Sequence, residues 1–470
     1  MRKYIAIAFF MVLIAACSTE KLDEIDTDPN NPLQVTIKLL MPTVTSGVPY
    51  YTNGTDLAWY SSVFCEYTTG TYLDMRNADR RQNINSQLSE NAWLNLYTVV
   101  LKDMRDIIEK GSVGGTEEGK WKHVGIAQVL MAYTMAVTTD IWGRVPYSEA
   151  LKGDALRQPA YDRQEAIYAD LQKMLNEAIV HLDKKSTVDP GEEDLIFNGN
   201  TTKWIAVAWA LKAKLFLHLT NVSTTAVDSA LACLDKAFTS ADDEFTFSQF
   251  GSYGDVSHQN PWYRESRERG QLSVSKTYYD LLQVNNDPRM YYFFTSTNVA
   301  PNGTAQEDPS GNIYAKLSTN VLYPNAPIPL LSYEELKFIE AECKFRKGLL
   351  DGANKAYQDG VYAALLRYGI SAGDVAPASN PIFYNNVLKK EPSDITLNLI
   401  ITQKYIAMFP YGAIEAFNDW RRTSIPTLNN PLGNPPRRFP YPQNEISSNG
   451  THVPSVNTTD GVWWDDGSED

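Results

Sequence analysis

The stretch that decides the fold is Leu331-Ser332-Tyr333-Glu334-Glu335-Leu336-Lys337-Phe338-Ile339-Glu340-Ala341-Glu342-Cys343-Lys344-Phe345-Arg346-Lys347-Gly348. Ser332 can cap a helix and Glu335 can reach back to it, while Leu331 and Leu336 stand where a hydrophobic staple sits. Lys344, Arg346 and Lys347 suit the negative end of a helix, and Gly348 can stop it. A partner helix follows over about 353–367, with its apolar residues at helical spacing. Residues 204–238 have the same form. Trp204, Ala208, Leu211 and Leu215 stripe one helix, and Val227, Ala230, Leu231, Leu234 and Phe238 the next. Each unit holds two helices in about 35 residues, the length of a tetratricopeptide repeat, although the consensus residues are only partly present.

Outward from these hairpins the helical period continues. Trp93, Leu94, Tyr97, Leu101, Met104 and Ile108 mark one helix, and a second runs from about Trp121 to Thr138. Asp162 with Glu165 predicts the start of a third, striped by Ile167, Leu171, Leu175, Ala178 and Leu182. Further helices are expected over about 394–409 and 414–421. Between the hairpins, residues 240–331 are rich in Pro, Gly, Asn, Ser and aromatics. A tract that long without period is unusual in a compact domain and is commonly functional. The expected fold is mainly α, with tetratricopeptide-like helix pairs forming a scaffold that carries large loop-rich insertions.

The N-terminus sets the compartment. Arg2 and Lys3 precede an uncharged apolar run from Ile5 to Ala16, and Ile14-Ala15-Ala16-Cys17 reads as a lipobox. A run of about 12 residues is a secretion signal rather than a spanning helix, which needs about 20. Residues 1–16 are therefore read as signal peptide. Cys17 is read as the lipidated residue, 17–34 as a polar tether, and 35–470 as a single helical domain with an irregular insertion at about 240–331. No second apolar run is expected to span a bilayer. Removing Arg2 and Lys3 leaves 40 basic against 56 acidic side chains, a balance of −16. Such a chain is a poor partner for nucleic acid or an anionic lipid surface. Cys65, Cys233 and Cys343 are odd in number, which does not suggest a disulfide framework, and Cys233 and Cys343, both in helical patterns, predict buried thiols.

The search for reaction chemistry returns little. The five histidines share no helix face, and neither HExxH nor CxxC occurs, so no metal site is expected. His181 and His218 read as satisfied surface or boundary residues. Gly114 to Lys120 nearly fits a phosphate loop. Trp121 stands where the magnesium-binding hydroxyl belongs, and Glu117 and Glu118 would repel phosphate. Asp26-Thr27-Asp28-Pro29-Asn30 opens like a calcium loop, but Asn31 replaces its glycine and Ile37 its bidentate glutamate. There is no GxSxG elbow. Neither an enzyme nor a cofactor is expected.

Aromatic residues among polar ones in the irregular tracts stand out: Tyr67, Tyr72, Tyr253, Trp262, Tyr263 and Tyr314. A flat ring can cover the C–H face of a sugar while neighbouring amides and charges bind its hydroxyls. The leading candidates are Trp262 and Tyr263, with Tyr72 and Tyr253 behind them. Asn260-Pro261 is expected to hold the segment extended, one ring inward and one outward. Asn260 and Arg264 would then supply hydrogen bonds.

Several motifs, taken in order, resemble the SusD/RagB lipoproteins of Bacteroidetes, most closely the SusD-like type 2 branch. They are Asp28-Pro29-Asn30-Asn31-Pro32, Thr139-Asp140-Ile141-Trp142-Gly143-Arg144-Val145-Pro146-Tyr147, Asp287-Pro288-Arg289, Glu340-Ala341-Glu342, Pro436 to Pro442, and Val462-Trp463-Trp464-Asp465. The resemblance implies a lipid-anchored protein on the outer face of the outer membrane. It implies capture of glycans, or of oligopeptides as in RagB-like members, for a TonB-dependent SusC-like transporter. A surface glycoside hydrolase is the reading from another class, and no motif supports it. The family's ligand loops vary, so the resemblance carries over no binding residue.

Overall fold

In a computed structural model the protein is described over residues 35–468; the leader, Cys17 and the tether lie outside the described residues. Helices dominate. In chain order the longer ones are α1 Ile37–Pro49, α2 Asp56–Phe64, α3 Lys102–Gly111, α4 Trp121–Trp142, α5 Gln164–Asp183, α6 Thr201–His218, α7 Ala226–Leu234, α8 Lys276–Gln283, α9 Tyr333–Arg346, α10 Leu350–Leu366, α11 Leu397–Ala407 and α12 Ala413–Thr423. The two hairpins read from the sequence are present. α6 packs on α7 and α9 on α10, and α4 lies against α5.

The caps explain where several helices begin. Ser332 Oγ accepts the Glu335 amide at 3.2 Å, as its position predicts. Glu335 does not reach back; its carboxylate instead lies 2.9 Å from the Lys214 ammonium. Asn200 and Thr396 cap α6 and α11 in the same way as Ser332. The expected cap at Asp162 is corrected. Asp162 ends strand β3 (Tyr161–Asp162), which pairs with β2 (Val145–Pro146), and α5 starts at Gln164. Its carboxylate is taken by the Tyr147 and Ser148 amides, at 3.0 and 2.9 Å.

α4 also departs from expectation. By length and composition it is apolar enough to cross a bilayer, yet the window that qualifies is wholly buried among other helices. A helix that is apolar all round has no stripe to read, and here it forms the centre of the scaffold. One hydrophobic cluster extends from Ile37 to Trp464, and a second fills the hairpin of α9 and α10.

The 240–331 tract is tied down at both ends and in its middle. β4 (Phe245–Phe247) pairs antiparallel with β6 (Ile328–Leu331), so the ends of the tract lie side by side. β5 (Leu272–Val274) pairs with β1 (Thr68–Gly70). Gly70 is required there, because a Cβ would fall 1.8 Å from the Met75 carbonyl oxygen.

Candidate ligand-binding site

Short-range chemistry sets the geometry of the residues singled out above. The extended Trp-Tyr pair expected after Asn260-Pro261 does not form. Asn260 itself is non-helical, but Pro261 occupies the first position of a helical turn, Pro261–Arg264. Proline suits that position because its missing N–H is not needed there. The Asn260 amide oxygen caps the turn, accepting the Trp262 and Tyr263 amides at 2.9 and 3.2 Å. Asn260 is fully buried, and its Nδ2 donates to Ala326 O at 2.8 Å.

The turn sends its two rings to different environments. Trp262 is 1% exposed, and its indole N–H donates to Asn53 O at 2.7 Å. It pins the turn to the N-terminal segment and presents no ring face outward. Tyr263 is half-buried and meets Tyr253 edge-on, with centroids 6.2 Å apart. Tyr253 is 67% exposed. Arg264 donates from Nε and Nη2 to Glu268, each at 3.3 Å. That bond holds the Arg264 guanidinium above its ordinary pKa, and the nearby Tyr50 hydroxyl adds to the effect.

Tyr50 and Tyr51 are the residues that sequence reasoning missed. They begin the π-helical turn Tyr50–Gly54 at the end of α1, in edge-on contact at 5.1 Å. Burial raises the Tyr51 hydroxyl, and Tyr50 raises it further. This turn and the Pro261–Arg264 turn are in close contact: a Cβ on Gly54 would come within 2.5 Å of Pro261 Cγ. The available signal is a ring pair running into Asn53-Gly54, in a stretch to which the sequence assigns no element.

Two ring pairs therefore sit on neighbouring turns: Tyr253 with Tyr263, flanked by the Arg264–Glu268 pair, and Tyr50 with Tyr51. Tyr72 stands half-buried at the N-cap of helix Leu73–Asp79 and has no described contact with Tyr253 or Tyr263. Tyr67 is fully buried, and its hydroxyl donates to Tyr405 O at 2.5 Å. Tyr314 accepts the Gln306 amide at 2.9 Å and braces its own loop.

Two concave features compete with these ring pairs. A cavity of about 130 Å³ lies among α4, α6, α9 and α12, lined by Lys214, His218, Glu335, Tyr368 and Glu415. It is smaller than the about 300 Å³ at which ligand pockets begin. Its charges serve one another. Lys214 lies 2.9 Å from Glu335 and 3.1 Å from Glu415, and Lys404 lies 2.9 Å from Glu415 and 2.7 Å from Asp419. Burial pulls the Lys214 ammonium down, but Glu335 and Glu415 raise it above its ordinary value. His218, expected at a boundary, is 1% exposed and bonded to Tyr168 and Glu415. The second feature, of about 400 Å³, is a methionine-lined groove beside Tyr97 and Tyr147. Two of its polar groups hold the 145–151 loop: Tyr97 donates to Pro146 O at 2.7 Å and Arg105 to Ala150 O at 2.8 Å.

The shared motifs are internal. Asp140 accepts the Tyr168 hydroxyl and, at 2.8 Å, the Trp464 indole N–H. Trp142 donates to Pro440 O at 3.1 Å. Asp287 and Arg289 pair at 2.6 Å, both 1% exposed.

A family model described as SusD-like, "Starch-binding associating with outer membrane", matches residues 29–442. A SusD/RagB family protein from Bacteroides thetaiotaomicron is 28% identical. Its TM-score is 0.82, and the match covers 93% of this chain and 100% of that one. A chitin-binding SusD homolog from Flavobacterium johnsoniae is 22% identical, with TM-score 0.73 and coverage of 91% and 98%, a likeness of fold. A SusD homolog from Bacteroides uniformis is similar at 21% identity, TM-score 0.74, covering 91% and 99%. No curated protein matches the chain.

Proposed function

The chain belongs to the SusD-like family of starch-binding, outer-membrane-associated proteins, and from that membership we propose that it captures neutral glycan chains at the cell surface and passes them to a TonB-dependent SusC-like transporter. The observation that carries the reading is the exposed Tyr253 ring set edge-on to half-buried Tyr263 beside Arg264 and Glu268, with the half-buried Tyr50–Tyr51 pair on the neighbouring turn. Edge-on ring pairs leave faces free for the C–H side of a pyranose, and the ion pair offers donors and acceptors for hydroxyls. Tyr263, Tyr50 and Tyr51 sit on turns tied by Asn260 and Trp262, so little order has to be gained there on binding. A lipid on Cys17 would tether the body to the membrane, since two or more acyl chains hold where one does not.

The ligand leaves unconverted in this reading. The family description names binding and no reaction. The test is a glycan array run beside a peptide panel, with product analysis on every bound glycan. Retention of glycans without new reducing ends is expected. Binding confined to peptides would replace the glycan by an oligopeptide, and chain cleavage would make the protein a hydrolase. Pull-down from native membranes should recover a large barrel, and recovery of the protein alone would remove the transporter from the proposal.

A further inference from the structure

We propose that the loop 284–298, with the turn 380–386 beside it, forms a second contact surface for a neutral glycan, centred on Tyr291 and Tyr292. The inference rests on the glycan reading above and extends it to residues outside the Tyr253–Tyr263 face.

Tyr291 is 69% and Tyr292 37% exposed, while the next two residues, Phe293 and Phe294, are buried. Phe293 packs on Tyr368 at 4.7 Å and Phe409 at 5.4 Å. The two tyrosines pair with no ring, and no hydrogen bond engages their hydroxyls among the described residues. The inward rings thus fix the segment and the outward rings are left free.

Their backbone is held from beneath. Asp287 accepts Arg289 Nε at 2.9 Å and Nη2 at 2.6 Å, and Arg289 Nη2 also reaches Gln403 at 3.0 Å. The Tyr291 and Tyr292 amides donate to Pro288 O and Arg289 O at 3.2 and 3.0 Å, and Ser318 Oγ donates to Tyr292 O. Rings on so fixed a support lose little freedom when a ligand stacks on them.

The surroundings specify a neutral partner. Residues 284–298 and 380–386 carry only Asp287 and Arg289 as charged side chains, in a chain that is 21% charged, and of the two lysines that follow the turn Lys390 donates to Asn385 O at 3.5 Å. Asp287 and Arg289 are buried and used on each other. Nothing along this loop would recognise a phosphate, a uronate or a peptide terminus. What it offers is amides and apolar edges. Asn386 Nδ2 donates to Asn285 Oδ1 at 3.2 Å, and Asn380 and Asn286 are cross-bonded, which sets the 380–386 turn alongside. Val284 is 69% and Ile382 51% exposed on the same two segments. Amides pair with hydroxyls in both directions, and the apolar edges suit the C–H face of a sugar.

A surface away from the first face adds avidity only to a chain long enough to reach both. The experiment compares amylose and long soluble chitin fragments with their short oligosaccharides, on the full chain, by calorimetry and affinity electrophoresis. In Tyr291→Ala/Tyr292→Ala, polymer binding should weaken about threefold or more while short-oligosaccharide binding holds. Tyr291→Phe/Tyr292→Phe should restore the parent value, because the ring and not the hydroxyl makes the contact. Tyr253→Ala/Tyr263→Ala should weaken both polymer and oligosaccharide. Polymer binding unchanged in Tyr291→Ala/Tyr292→Ala, with the Tyr253→Ala/Tyr263→Ala variant impaired, overturns this inference and leaves the proposed function standing. A parent that binds no glycan overturns both. Loss of the co-purifying barrel with polymer binding intact makes the surface a protein-docking face and also overturns it.

Discussion

Apart from its buried Asp287–Arg289 pair, the tract between β4 and β6 uses its polar side chains differently from the scaffold around α9 and α12. In the scaffold, charges are buried and paired. Arg422 lies 2.8 Å from Asp419 and places Nη2 2.7 Å from Glu342, all three within the core. In the tract, the buried polar groups Asn260 and Asn302 hold backbone and neighbouring side chains, and rings and amides are what reach the surface. The difference separates stability from binding. A buried pair already has its partner, so it contributes to fold uniqueness and offers nothing to a ligand. An unpartnered exposed ring adds little to folding and keeps its free energy for recognition.

The comparison breaks most visibly at Arg422. Arg422→Ala leaves Glu342 with the Arg346 guanidinium alone and Asp419 with the Lys404 ammonium alone, and should lower stability by about 3 kcal/mol. Chemical denaturation measures it. A loss below about 1 kcal/mol would mean that the pairs are not what holds α9 to α12.

Trp262→Ala comes next and tests the tract. Removing a fully buried indole should cost about 3 kcal/mol in stability. Affinity for a short glycan should fall only as far as the turn loosens, so a variant of unchanged stability and lost binding would make Trp262 a contact residue instead.

Two buried glutamates, one in each region, should respond to pH with opposite sign. Burial pushes Glu265 up to about 7. Its folded form therefore keeps a proton that the unfolded chain has released, and stability falls as pH rises from its ordinary 4.5 to 7. Glu265→Gln should remove on the order of 2 kcal/mol of that fall. Asp79, also pushed up to about 7 by burial, leaves a residual slope. Glu342 behaves inversely. Burial would lift it, but Arg422 overrides this and holds it at about 2. Its contribution is present above pH 4.5 and is lost as pH falls from 4.5 towards 2. Stability curves of Glu265→Gln and Glu342→Gln between pH 2 and 8 should flatten on opposite flanks.

The smallest effect sharpens the contrast most. Tyr253→Ala should change stability by less than about 0.5 kcal/mol. It should weaken a short glycan by about 1 kcal/mol, roughly fivefold. Thermal melts beside calorimetry decide it.

What the sequence revealed follows the same division. The hairpins were legible because Ser332, Gly348 and the apolar stripes act over three or four residues. α4 was legible as a helix but read short, since an all-round apolar surface has no period. Asp162 was misplaced because a carboxylate can serve a helix start or a neighbouring loop, and only the pairing of β2 with β3 decides. Asn260-Pro261 was read as extended although the same pair is a cap followed by a first-turn proline. The Tyr253–Tyr263 pair has its neighbour in Tyr50 and Tyr51, some 200 residues away, and no local pattern links positions so far apart.

The short ladder of β4 and β6 has a consequence for how such a protein can change. It places Phe247 and Ile328 opposite each other, so everything between them begins and ends at one spot in the fold. Lengthening a loop whose ends already meet costs only about 0.6 kcal/mol for each doubling. The segment is thus a cassette with fixed sockets. New recognition loops can be exchanged, lengthened or drawn from a relative between those two residues, provided they keep the β5 rung on β1, the Trp262 anchor on Asn53 and the Phe293 and Arg289 contacts, while the helical body stays as it is.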